Sequence, residues 1–361
     1  MSSALSEQSC VREGAGYDEV FSLGLDDPDT LSDERELSAT SPSTGDEDMD
    51  VDGSKEDSNG DDVDIGEPPI QSVEALDLDF SADVFLDPGY FLLDYEEMER
   101  EFKIYVYKDR DLDKHYLLPR KLTRNALKVD MFFKNLKESR FYTENDDEAH
   151  LFLIPIETHR MQGESFEKMA SLVQDYVEGL ISKYKYWNRT QGADHFFVNC
   201  HEIGVIATKG LPLLEKAIQV VCASGNALEF MPHKDIVLPA EELQPNMVND
   251  ISRFGNFCSC NVAPFHAACI AEAILEGCVP VVSLSNHDLP FNDTLDWTKF
   301  SAIVSSKKDY FTATGIEGEN FTKLHDYLKK VQKHFKWNSP PVKFDAFHMI
   351  MYKLWMRTQM E

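Results

Sequence analysis

Apolar positions recur along this chain in two rhythms. From about residue 90 onward, stretches with apolar residues three and four apart alternate with short, continuous runs of β-branched and aromatic residues. Phe166, Met169, Leu172, Val173, Tyr176, Val177, Leu180, Ile181 and Tyr184 follow the first rhythm. That spacing places side chains on one helical stripe. It also predicts helices over 90–101, 124–136, 321–335 and 344–357. Pro264 and Gly277 bracket a further helix, the Pro-start and Gly-stop asymmetry of an α-helix. The short runs predict strands at 102–107, 149–156, 195–201, 217–223, 235–239, 254–258, 278–284 and 301–305. Short apolar strands alternating with helices imply an α/β architecture built on parallel sheet.

Residues 1 to about 70 show neither rhythm. They are rich in Ser, Asp, Glu and Gly, as in Ser41-Pro-Ser-Thr-Gly-Asp-Glu-Asp-Met-Asp-Val-Asp-Gly. Such a segment buries too little apolar surface to offset its ordering entropy, so residues 1–85 are read as a disordered acidic arm. Charge sharpens the division. The 361 residues carry a formal net charge of −29. The first 100 hold 30 acidic and 4 basic side chains, a net of −26, which leaves −3 for the rest. A chain this acidic lacks the clustered Lys and Arg that a phosphate backbone requires, so no nucleic-acid partner is expected. The amino-terminal residues lack the basic start and apolar core of a secretory signal. The longest apolar run, Cys278 to Leu284, is far below the roughly 20 residues that span a bilayer. The chain as written therefore shows no signal peptide or transmembrane segment, and a membrane enters only if an anchor is missing from it.

Seven cysteines, at positions 10, 200, 222, 258, 260, 269 and 278, form an odd, sparse set unlike a disulfide framework. Cys200, Cys222 and Cys278 sit inside apolar runs and are expected to be buried small hydrophobes. Asn188-Arg-Thr, Asn292-Asp-Thr and Asn320-Phe-Thr are N-glycosylation sequons, usable only in a secretory lumen. His195, Cys200 and His201 lack ligand spacing, and Cys258-Ser-Cys260 has no second pair, so neither metal nor cofactor is expected.

Six stretches taken together resemble the exostosin-like glycosyltransferases of plants. They are Tyr95-Glu-Glu-Met-Glu-Arg-Glu-Phe-Lys-Ile-Tyr-Val-Tyr107, Asp147-Glu-Ala-His-Leu-Phe-Leu-Ile-Pro155, Tyr186 to His201, Glu272-Ala-Ile-Leu-Glu-Gly-Cys-Val-Pro-Val-Val282, Pro290-Phe-Asn-Asp-Thr-Leu-Asp-Trp297 and Asn338 to His348. They occur in the family's order across about residues 88–360. The resemblance implies two Rossmann-like domains facing each other, the GT-B arrangement. Residues 86–240 would be the acceptor side and 241–361 the nucleotide-sugar side. It also implies a Golgi membrane enzyme moving a sugar from a UDP-sugar to a cell-wall polysaccharide or glycoprotein glycan, inverting and metal-independent.

Such a reaction needs a base for the acceptor hydroxyl and stabilisation for the departing pyrophosphate, which a helix amino terminus and a cation supply. By resemblance His201 and Glu202, after a strand, take the catalytic place. Glu272 matches the residue that meets the donor ribose, and Cys260 and His266 flank the donor-side helix start. Asp288, Asp293 and Asp296, beside Trp297, form a ladder of carboxylates suited to sugar hydroxyls. The departures are as informative. Pro239 reaches Ser252 in barely a dozen residues, where the family carries a further segment comparable to a βαβ unit of roughly 30 residues. The carboxyl-terminal domain therefore reads as truncated. The position of the family's pyrophosphate-binding Arg is Cys269, and a neutral thiol does not replace a guanidinium. His266 is the remaining compensating cation. The alternative reading is accordingly a non-catalytic relative, an interaction or scaffold protein or truncated product that has lost donor binding.

Overall fold

A computed structural model describes residues 80–108, 124–156, 161, 163–200, 202–222, 230–239, 251–254, 256–260, 266–283, 289–304 and 319–359. The disordered arm read over residues 1–79 lies outside them. Its expected end at 85 is corrected. Ala82–Val84 form a short 3-10 turn, Val84 and Phe85 are fully buried, and Phe85 bridges to Leu295. Phe85 stacks on Phe91 with ring centroids 4.2 Å apart. These large rings pull the last residues of the presumed arm into the core.

The first half alternates helix and strand as its two rhythms require. In chain order these are α1 (Pro88–Glu101), β1 (Ile104–Val106), α2 (Arg124–Glu138), β2 (Tyr142–Thr143), β3 (Leu151–Leu153), α3 (Phe166–Lys183), α4 (Trp187–Thr190), β4 (His195–Asn199), α5 (Glu202–Thr208), β5 (Ile218–Val221) and β6 (Ile236–Val237). The six strands form one sheet in the order β2-β1-β3-β4-β5-β6, every pair parallel. Asp87 starts α1 by accepting a hydrogen bond from the Tyr90 amide at 2.9 Å, with Pro88 in the first turn. Ser165 caps α3 in the same way through the Lys168 amide.

The sheet is buried on both faces, which is why its strands read as unbroken apolar runs. On β4, Phe196 and Val198 join one core while Phe197 joins the other, the period of two of a strand. Phe152 packs with Met169, Val173, Val177 and Leu180 of α3 on the second face. Each such side chain contributes about 1.5–3 kcal/mol relative to exposure.

The second half comprises β7 (Ile251–Phe254), β8 (Phe257–Cys260), α6 (His266–Leu275), β9 (Val279–Ser283), β10 (Ala302–Val304), α7 (Glu319–Phe335) and α8 (Ala346–Thr358). Its sheet runs β10-β9-β8-β7, with β8, β9 and β10 parallel and β7 antiparallel. The single strand expected over 254–258 is thus a hairpin. β7 and β8 pair antiparallel in register, with Phe254 opposite Phe257 and Ile251 opposite Cys260. Helix α8 is buried from Ala346 to Trp355, as a helix apolar all round must be. It belongs to a core that takes in one face of the first sheet, the second sheet, α1 and α7. Both sheets fall within one compact unit, Pro68–Glu361.

The cysteines correct the sequence reading. Cys200 pairs with Cys222 and Cys258 with Cys278, and Cys269 is also disulfide-bonded. Strand register is the reason. Asn199 lies opposite Val221, so the next residues, Cys200 and Cys222, emerge side by side with Cα atoms 4.7 Å apart.

Candidate functional site

Ligands of parallel sheets bind outside the carboxyl ends of the strands. At that edge of the first sheet, β4 ends in the buried Asn199, whose Nδ2 donates to Thr208 Oγ1 at 3.0 Å. Thr208 Oγ1 in turn donates to the Gly204 carbonyl at 2.9 Å. These bonds tie α5 back against the end of β4, and the Cys200–Cys222 bridge fixes β4 to β5 at the same edge. His201 lies outside the described residues. Glu202 is the first residue of α5, so the backbone places it on this edge, directly after the bridged strand end.

His195 opens β4 and is fully buried, and hydrogen bonds account for it rather than metal. Its Nδ1 meets Asp194 Oδ1 at 2.6 Å and its Nε2 meets the Tyr107 hydroxyl at 2.6 Å. Arg189 Nε donates to Asp194 Oδ2 at 2.8 Å and Thr190 Oγ1 donates to Asp194 Oδ1. Burial lowers the pKa of His195, against the pull of Asp194. Burial pushes the Asp194 carboxyl up, but the hydrogen bonds from His195, Thr190 and Arg189 outweigh it and hold the group ionised below the usual range. This chain locks β1 to β4 beneath the sheet edge. Among the described residues no group of three His, Cys, Asp or Glu is arranged to hold a metal ion.

On the second sheet, Cys260 ends β8 and His266 opens α6, so the two flank one connection at the carboxyl end of β8. Residues 261–265 of that connection, and with them the helix start expected at Pro264, lie outside the described residues. Glu272 is the seventh residue of α6, nearly two turns from its start, and half-buried. Ile270, Ala271, Ala273 and Ile274 are buried in the core, and Gly277 ends the segment at φ +73°. Cys269, three residues before Glu272 on the same helix, is disulfide-bonded.

The carboxylate ladder is corrected in part. Asp293 pairs with the buried Lys353, and Asp296 accepts from Thr298 and pairs with Lys299 at 3.4 Å. Asp288 lies outside the described residues. A cavity of about 300 Å³ lined by Leu92, Tyr95, Glu99, Arg140 and Phe344 opens near the amino ends of β1 and β2, away from the residues named above.

Residues 98–256 match the exostosin GT47 domain. The chain is a relative of the exostosin-like plant glycosyltransferases. A probable glycosyltransferase of Arabidopsis thaliana is 28% identical to it, covering 79% of this chain and 69% of its own length. A probable β-1,4-xylosyltransferase of the same plant is 24% identical, over 65% of this chain and 79% of itself. A probable glucuronosyltransferase of Oryza sativa subsp. japonica is 26% identical, over 57% and 68%. The exostosin match spans the first sheet and ends in the β7–β8 hairpin. It contains His201 and Glu202, whereas Cys260, His266 and Glu272 lie beyond it.

Two features of this exostosin relative escaped the sequence reading. The disulfides depend on strand register, which spacing does not reveal. The buried Asp194–His195–Tyr107 chain left one trace, the adjacent Asp-His pair at the start of an apolar strand.

Proposed function

We propose that this exostosin relative is a glycosyltransferase that moves a sugar from a UDP-sugar to a cell-wall polysaccharide or glycoprotein glycan. The two sheets would be the halves of a GT-B arrangement, the first on the acceptor side and the second on the donor side. The observation that carries the reading is the position of Glu202. It opens a helix at the carboxyl edge of a six-stranded parallel sheet, inside the matched domain. In this scheme Glu202 or His201 takes the proton from the acceptor hydroxyl as its oxygen bonds the anomeric carbon. The bond from that carbon to the pyrophosphate oxygen breaks from the opposite face, inverting the centre, and UDP leaves with the electron pair. Glu272 would accept from the donor ribose, and His266 with the amino end of α6 would face the phosphates.

The names of the relatives support xylose or glucuronic acid as the sugar. The disulfides support an oxidising compartment, in line with a Golgi location. No described helix is long and apolar enough to cross a membrane.

Two observations favour the alternative, a relative that has lost donor binding. Cys269 is bridged where a cation is wanted. The second is the short span from Pro239 to Ser252, where the family resemblance implies a further segment. Titration calorimetry with UDP separates the readings. Saturable binding below millimolar UDP is expected, and no heat at millimolar UDP overturns the proposal.

A further inference from the structure

We propose that Asn188 and Asn320 of this chain are N-glycosylated, and that the glycan on Asn188 is added before its own turn folds. The inference rests on the lumenal location proposed above and not on catalysis. Two independent lines meet here. The sequons Asn188-Arg-Thr190 and Asn320-Phe-Thr322 are modified only in the secretory lumen. Five described cysteines are held in disulfides, which that same compartment permits and a reducing cytosol does not.

The fold leaves room for both glycans. Asn188 is exposed on α4, and Asn320 is exposed in the first turn of α7. Helix α4 lies just before the amino end of β4, so a glycan on Asn188 stands at the edge of the sheet opposite the one that carries Glu202. The third sequon differs. Asn292 is exposed but lines a small polar cavity with Asp293, Lys353 and Arg357, so a glycan added there before folding would stand against the Asp293–Lys353 pair that the folded chain has to form. It is therefore left out of the proposal.

The geometry also sets the order of events at Asn188. In the folded chain Thr190 Oγ1 donates to Asp194 Oδ1 at 2.5 Å and accepts from the Asp194 amide at 3.1 Å. The sequon hydroxyl is thus engaged once the turn has closed, while the Asn188 side chain stays outside. Transfer must come first. The Asn188 Nδ2 then bonds C1 of a lipid-pyrophosphate-linked oligosaccharide as the C1–oxygen bond to the pyrophosphate breaks. The lipid pyrophosphate leaves, and the amide proton passes to the transferase's base.

The test is translation of the full chain, behind a cleavable secretory signal, into microsomes, followed by peptide-N-glycosidase and electrophoresis. Two mobility steps are expected. Asn188→Gln and Asn320→Gln should each lose one, and the double variant both. Purified, folded, unglycosylated chain added to detergent-opened microsomes should gain nothing at Asn188. A protease-protected chain without any glycosidase-sensitive step overturns the proposal, as does a step that persists in the double variant. Modification of the folded chain at Asn188 overturns the ordering. Calorimetry with UDP is unaffected by any of these results, so failure here is separable from failure of the catalytic reading.

Discussion

Replacing Cys200 and Cys222 by serine together should destabilise the fold without unfolding it. The bridge closes a loop of 22 residues. In the chain-entropy treatment, removing it returns about 11 cal/mol/K to the unfolded chain, or about 3.4 kcal/mol at 25 °C. For a folded body of this size each kcal/mol moves Tm by about 2–4 °C, so a fall of roughly 7–14 °C is expected. Scanning calorimetry of oxidised wild type and variant at one pH measures it, and near-UV circular dichroism checks that the native packing survives. Thiol titration supplies an independent count. Five described cysteines are disulfide-bonded, a number that requires a sixth partner, so one of the seven should react in denaturant without reductant. Seven reactive thiols, or a variant within about 1 °C of wild type, would refute the reasoning.

His334 is fully buried, its Nδ1 donates to the Phe344 carbonyl at 2.8 Å, and burial pushes its pKa down to about 3. The unfolded chain takes up that proton near pH 6.5. Stability should therefore be complete above that pH and fall by about 2 kcal/mol from this residue between pH 7 and 5; a His334→Gln variant whose urea midpoints keep the full wild-type pH slope would contradict this. Lys353 is almost wholly buried against the more exposed Asp293. Asp293→Asn strands a buried ammonium and should cost about 3–5 kcal/mol. Lys353→Met keeps the apolar stem and should cost less, and the reverse order in denaturant unfolding would sink the argument. Gly192 sits at φ +92°, and a Cβ there would approach Trp187 Cζ2 to 2.8 Å. Gly192→Ala should lose at least about 1 kcal/mol, read as a Tm drop, and an unchanged Tm would show that the turn relaxes freely.

Much of the fold was legible because the two rhythms are local. Helix α3 was expected over 166–184 and forms at Phe166–Lys183, since its stripe, its Ser165 cap and its core partners agree. Strand ends were less legible. The run 149–156 forms ladder bonds only at Leu151–Leu153, because pairing depends on the neighbour rather than on the run itself. The disulfides and the Lys353–Asp293 pair were not legible at all, being products of register and of a helix that returns 60 residues later. Of the candidate site, the apolar run 195–201 made legible that Glu202 follows a strand, whereas the helix it opens was not expected. The fate of Asp293 and Asp296 did not, since only packing shows that a carboxylate already has a cation. Of the 30 acidic side chains in the first 100 residues, 24 lie in residues 1–79, outside the described structure.

The most direct test of the account is sugar transfer itself. Wild type and Glu272→Ala would be incubated with UDP-xylose or UDP-glucuronic acid and a xylan oligosaccharide, and UDP release and product mass followed together. The account predicts product from one of the two donors with wild type and its loss, by at least about tenfold, in the variant. Wild type that binds UDP yet forms no product, or transfer that is undiminished in Glu272→Ala, would contradict it.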